Sequence, residues 1–336
     1  MIYGISAMIA LLFFFFLGIT IHELGHLVFG LTSGYTFNSL RVGSVELFKD
    51  GSKNKFNLSR RFVLGQCVMI PSANEDEFKF IGYNLGGIIF SAIFCTIFSV
   101  MLLILDSNDL LSIVLSFGLF PNIFLLLYSA VPISFFGMPS DTLNAITASN
   151  SDDAKHGMYM MLRVEYELMN GKRYRDYDSN IFRINNEANL SNYFIAYILM
   201  LEAYRLIDLK LYSDAIVEYS KIDLEKLPVA YSGEIKASLM FCYAIHDSNK
   251  KRLGELFEEK EIVTLLKSSG FSFSKCLAIY EYFIAGNKAE AEKWIDRAKK
   301  EASNYPNKGQ RIMELDRIKQ LERTFLMPRV SRGRFS

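Results

Sequence analysis

The hydrophobic pattern divides this chain in two. Residues 1–21, 24–40, 80–105 and 110–140 contain no Asp, Glu, Lys or Arg, whereas from Ser151 onward a charge recurs every few positions. A helix needs about 20 apolar residues to cross the hydrocarbon core of a bilayer. Three stretches are long enough, at about 4–31, 80–105 and 110–136. Between the first and second, the β-branched runs "SLRVGSVELF" and "RRFVLGQCVMI" flank the polar turn "KDGSKNK", which predicts a β-hairpin over about 40–70. Unpaired strand edges cannot face lipid, so this hairpin belongs at the membrane surface or against the helices.

From Tyr193 the chain reads as helix after helix, broken at "DLEKLP", "SSGFS" and "NYPNKG". "LIDLKLYSDAIVEYSKI" and "EYFIAGNKAEAEKWIDRA" echo one another, with Ala215 and Ala291 where the two helices of a hairpin would cross. Tetratricopeptide-type hairpins and an ordinary helical bundle both fit this pattern, and the full 34-residue signature is absent. The expected architecture is therefore an α-helical membrane protein. It comprises a three-helix membrane core with a hairpin insertion over 1–150, a cytoplasmic all-α domain over 151–328, and a disordered tail over 329–336.

Composition sharpens this. Of 336 residues, 51% are hydrophobic and 28 are Phe, more than soluble domains carry. A net charge of +1 supplies no basic field for nucleic acid and no acidic one for a cationic partner. Cys67, Cys95, Cys242 and Cys276 lie far apart with no C-x-x-C pair, so they read as reduced structural residues. The N-terminal stretch lacks a basic n-region and an A-x-A-like cleavage site, so it reads as retained. Arg41, Lys49, Lys53, Lys55, Arg60 and Arg61 crowd the first loop, while the link 106–109 has no Lys or Arg. By the positive-inside rule that loop and the charged half face the cytoplasm of a multi-pass cell-membrane protein, with the N-terminus outside. Abundant Lys, Asn, Ile and Phe suggest an AT-rich bacterial genome.

One short stretch breaks the apolar logic. "GITIHELGHLVFG" puts His22, Glu23 and His26 in the first span, where an ionisable group costs roughly 2.5–3.5 kcal/mol on insertion scales. Residues four apart share a helix face, so His22 and His26 can hold one metal ion while Glu23 reaches a water beside it. This is the H-E-x-x-H arrangement of zinc hydrolases, in which zinc makes water acidic and the glutamate takes its proton. Gly25 and Gly30 would let another backbone approach that face, or serve ordinary transmembrane packing.

A catalytic zinc wants a third protein ligand. Glu46 follows His26 by twenty residues but sits in a predicted strand. Asp152, Asp153 and His156 cluster in sequence, though at what reads as a solvated helix start. Asp141 is the stronger candidate: it follows the third span in "SAVPISFFGMPSDTLNAI", where Pro132, Gly137 and Pro139 let the chain bend back. A plain helix cap at "PSD" is the competing reading.

With HELGH in the first span and a proline-marked aspartate after the third, residues 1–150 resemble the site-2 protease family of intramembrane zinc metalloproteases. The resemblance implies a three-helix core, zinc on His22, His26 and Asp141, Glu23 as catalytic base, and a hairpin that presents substrate as an extended strand. "GYNLGGIIFSAIF" is similar to the family's Gly-rich second core helix through Asn84, Gly86 and Gly87. Substrate contacts are thereby implied for Asn84, Gly86, Asn122 and Ser129. Three features depart from the family pattern. Ser129 stands where Asn is usual, Thr142 where Gly is usual, and the interval from Pro132 to Asp141 is longer; Asn122 lies two turns up the helix from the missing Asn.

The implied activity is hydrolysis of a peptide bond in a transmembrane or signal-peptide-like segment, for regulated intramembrane proteolysis or peptide maturation. The partners are a membrane-anchored protein or peptide substrate, the lipid bilayer, and a regulatory protein on the helical half. The departures motivate an alternative, a catalytically inactive protease-like receptor or scaffold that binds partners through its helical domain.

Overall fold

The computed structural model describes residues 2–50, 53–105, 110–135, 138–227, 229–246, 250–258, 271–305 and 307–326. The expected tail, the link 106–109, Gly137 and most of "SSGFS" lie outside them. The chain is mostly helical, with three helices long and apolar enough to cross a membrane and two small two-stranded sheets. It divides into two compact units, residues 1–163 and 164–336, with the division inside a helix.

In the first unit, α1 (Ile2–Thr32) carries the histidines. It ends where Gly34 takes φ 85° and Tyr35 N–H donates to the Gly30 carbonyl at 2.9 Å, the left-handed stop that glycine allows. The chain then enters β1 (Thr36–Asp50), paired antiparallel with β2 (Lys53–Ile70) from Thr36↔Ile70 to Asp50↔Lys53. The hairpin thus begins four residues before the expected 40. Its register shifts between Phe37 and Ser39 and on both sides of Gly43, bending the ribbon as bulges do.

Next come α2 (Phe80–Ile104) and α3 (Leu110–Ala130). The third helix stops at Ala130 instead of continuing to 136. Pro132 cannot donate to a helical ladder, and the following chain folds into the short pair β3 (Ser134–Phe135) and β4 (Met138–Pro139). Ser140 N–H donates to the Ile133 carbonyl at 2.9 Å and Ser140 Oγ–H to Val131 at 2.7 Å. That closes the turn and starts α4 (Asp141–Ser149), which packs on α2 and α3. Then α5 (Asp152–Met169) follows.

The three long helices are apolar outside and polar within. Leu103, Ile104 and Phe120 are more than 70% exposed, whereas Asn84, Ser91, Ser112, Asn122 and Ser129 are buried. This inverts the usual preference and suits hydrocarbon as the surrounding medium. Small residues bring α1 and α2 together: a Cβ on Gly25 would lie 2.2 Å from the Gly86 carbonyl oxygen, and one on Gly86 2.5 Å from that of Gly25.

The second unit comprises α6 (Tyr193–Asp208), α7 (Tyr212–Ser220), α8 (Val229–His246), α9 (Lys250–Glu258), α10 (Phe271–Tyr280), α11 (Lys288–Ser303) and α12 (Lys308–Leu326). One core runs through it, including Leu199, Ala203, Tyr219, Ile235, Leu253, Ile279, Ile295 and Leu321. Ala215 and Ala291 are fully buried where α7 meets α6 and α11 meets α10, as the sequence echo anticipates. Within this core Lys275 and Arg317 both pair with Glu314. The Glu314 carboxyl, which burial would raise, is held below the ordinary range by these two cations.

Candidate metal centre

One turn of α1 places His22 and His26 on the face that α2 and α4 cover. Their Nε2 atoms lie 3.2 Å apart. Asp141, at the first position of α4, sets Oδ2 3.1 Å from His22 Nε2 and Oδ1 3.5 Å from His26 Nε2. Among the described residues this is the one group of three or more His, Cys, Asp or Glu side chains placed to hold a metal ion. The helix cap at "PSD" belongs to Ser140, whose Oγ accepts the Leu143 N–H at 3.2 Å. That leaves the Asp141 carboxylate free for the histidines.

The donor set and its dimensions fit a tetrahedral metal. Ligands about 2.0–2.1 Å from zinc in tetrahedral geometry lie roughly 3.3 Å from one another; the two Nε2 atoms at 3.2 Å and His22 Nε2 with Asp141 Oδ2 at 3.1 Å match this, while the 3.5 Å contact of His26 is to the other carboxylate oxygen. Two imidazoles and one carboxylate suit zinc better than the oxygen-seeking calcium or magnesium. The space is kept open by a glycine: a Cβ on Gly87 of α2 would meet His26 Nε2 at 2.5 Å and His22 Nε2 at 2.7 Å. Both histidine side chains are under 9% exposed, while Asp141 retains 20%, so the site opens on the aspartate side.

The outer ring nitrogens are also engaged. His26 Nδ1 lies 2.7 Å from the Tyr83 carbonyl oxygen and His22 Nδ1 lies 3.0 Å from Ser91 Oγ. With each Nε2 serving as ligand, each Nδ1–H donates outward, which fixes ring orientation and raises ligand basicity. Glu23 is buried beside the ligands and faces β2, where the Cys67 backbone N–H donates to it. Gly65 makes room there, since a Cβ would sit 2.4 Å from Glu23 Oε1.

Other candidates fall elsewhere. Glu46 forms an ion pair with Arg41 of the same strand. His156 Nδ1 lies 2.8 Å from Glu75 Oε1. Asn84 donates to the Phe80 carbonyl at 2.7 Å within its own helix, and Gly86 forms the close crossing with Gly25. Asn122 covers Gly18, one turn before His22, donating to the carbonyls of Phe14 at 3.0 Å and Gly118 at 2.7 Å, so it joins α3 to α1. Ser129 is buried near the end of α3. Sequence reasoning did not single out Ser91, Gly65 or the Tyr83 carbonyl. Ser91 lies on the same α2 face as Gly87, four residues on, which is the one signal that could have found it.

No protein-family model, curated protein or solved structure matches this chain.

Proposed function

We propose that this protein is an intramembrane zinc metalloprotease of the site-2 protease kind, cutting a transmembrane or signal-peptide-like segment of a membrane-anchored substrate. The observation that carries the reading is the convergence of His22, His26 and Asp141 within zinc-ligand spacing, with Glu23 beside them. His22, Glu23 and His26 sit in α1, one of the three long helices whose outer faces are apolar. Zinc held by His22, His26 and Asp141 would supply Lewis acidity toward a peptide carbonyl and a water. Glu23, with the Cys67 N–H on its carboxylate and space cleared by Gly65, is the base placed to take a water proton and return it to the leaving amine. His22 and His26 are oriented by Ser91 and Tyr83, and Asp141 completes the ligand set. The protein resides in the bacterial cell membrane with its helical half in the cytoplasm. There, tetratricopeptide-like hairpins would receive a regulatory protein.

The test is Glu23→Gln in the full-length protein. It should bind zinc as wild type does and lose cleavage of a co-expressed membrane substrate by at least about 100-fold, the lower range for a general base. Retained cleavage would refute the assignment. An unchanged cellular role without any cleavage would point to the scaffold reading.

A further inference from the structure

The helical unit holds a cavity of about 160 Å³ that proteolysis does not use. Its cationic walls are Arg173 and Arg175, Lys210 in the turn between α6 and α7, and Arg317, Lys319 and Arg323 of α12. Two carboxylates, Asp208 and Asp316, stand among them, and with Arg317 on Glu314 and Arg175 beside Asp176 the unpaired cations among the described residues of the wall are three, Lys210, Lys319 and Arg323, in a chain whose net charge is +1. Charges of one sign lining a concave, low-dielectric wall concentrate the opposite charge there.

The two carboxylates are already committed. Arg173 bonds Asp208 through Nε at 3.2 Å and Asp316 through Nη2 at 2.8 Å, while the Arg175 backbone N–H donates to Asp208 at 3.1 Å. Lys210, Lys319 and Arg323 have no ion pair among the described residues. Arg317 has its guanidinium over Tyr204 and Nη1 on Glu314 at 2.8 Å, yet its buried Nε–H has no hydrogen-bond partner. A buried donor without an acceptor is costly in a lone protein and useful in a binding site.

Lys210 adds a second, independent observation. Among the described residues it is the one non-glycine residue with positive φ, 67°. It sits at the left-handed stop of α6, where Leu211 N–H reaches the Leu206 carbonyl at 2.8 Å and Lys210 N–H the Ile207 carbonyl at 3.0 Å. Glycine is favoured there. In the echoing hairpin, Gly286 occupies the equivalent place with φ 72°, five residues before Ala291 as Lys210 is five before Ala215. A lysine held in that conformation at the rim of a cationic cavity trades backbone ease for a charge.

We propose that this cavity binds a small phosphate-bearing anion, clamped between the Arg317 guanidinium and the free charges of Lys210, Lys319 and Arg323. Its volume lies below the roughly 300–1,000 Å³ of drug-sized pockets and is of a size for a phosphate or pyrophosphate group. Guanidinium forks read phosphate oxygens in pairs. A free soluble phosphate and a lipid headgroup share this chemistry.

Calorimetric titration of pyrophosphate into the full-length, detergent-purified protein at constant ionic strength tests the site. One site per chain is expected, unchanged by His22→Ala, which separates it from the metal centre. Lys319→Ala and Arg323→Ala should each weaken binding about tenfold, as loss of a charge-assisted contact does. Lys210→Gly should weaken binding while raising the melting temperature of the anion-free protein, a pairing that a merely structural lysine would not produce. Displacement of pyrophosphate by dihexanoyl phosphatidic acid would assign the site to a headgroup, and its failure to displace would assign a soluble phosphate. Absence of saturable binding, its loss in His22→Ala, or equal weakening by Lys251→Ala on α9 would overturn the proposal.

Discussion

Gly87→Ala should abolish metal binding while leaving every ligand in the chain. The added methyl would lie 2.5 Å from His26 Nε2 and 2.7 Å from His22 Nε2. Carbon contacts settle near 3.5–4.0 Å, so the two rings would have to retreat by roughly 1 Å. Metal–ligand distances tolerate only about 0.2 Å, and the displacement is about five times that. Both nitrogens therefore lose bonding range together, and zinc affinity should fall by at least about 100-fold, the upper range for disturbing even an outer-shell partner. Helix stability works the other way, since alanine in place of a mid-helix glycine gains about 0.5–1 kcal/mol. The assay is zinc per chain by elemental analysis after dialysis against a zinc buffer, followed by chelator competition. Gly82→Ala on the same helix is the control. Its Cβ would meet Ser33 Oγ at 3.6 Å and Phe29 Cδ1 at 3.8 Å, ordinary contacts, so zinc should remain. Wild-type zinc affinity in Gly87→Ala would refute the site geometry itself.

Two further perturbations probe the two units separately. Ser91→Ala removes the partner of His22 Nδ1 and should lower zinc affinity about tenfold with the fold intact, measured by the same competition. In the helical unit, burial pushes the Glu165 carboxyl above its ordinary value of 4.5, and the Asn307 amide at 3.4 Å offsets this only in part. A carboxyl with a raised folded value disfavours its charged form, so its ionisation costs stability at pH 7. That cost is recovered as pH falls through the folded value toward the unfolded one. Glu165→Gln should therefore raise the melting temperature at pH 7, and the gain should shrink as the pH is lowered toward the unfolded value. A gain that does not shrink with falling pH would show that the carboxyl's charge is not the cause.

What sequence could reveal here depended on whether a feature is local. The three long helices follow from apolar runs, and His22 with His26 from a four-residue spacing, both of which need no knowledge of partners. Asp141 was legible because Pro132 and Pro139 announce a turn, although the turn's effect on α3, ending it at Ala130, was not. Long-range relations were hidden. That Gly65 on β2 clears space for Glu23, or that Ser91 meets His22 across 69 residues, depends on how helices and hairpin come together. Asn122 is of the same kind: that its amide nitrogen donates to carbonyls on both α1 and α3 is a relation across 108 residues. The lysine at position 210 was equally silent, because only the backbone shows that it stands where its echo has glycine.

The crossing of α1 and α2 at Gly25 and Gly86 has a consequence for how such a protein could lose its chemistry. There backbone meets backbone, with no side chain between them to yield. Any replacement must move one whole helix, and with it the histidines on α1 relative to the glycine floor on α2. A chain could thus become inert through one methyl group while H-E-x-x-H and its aspartate remain intact to the eye.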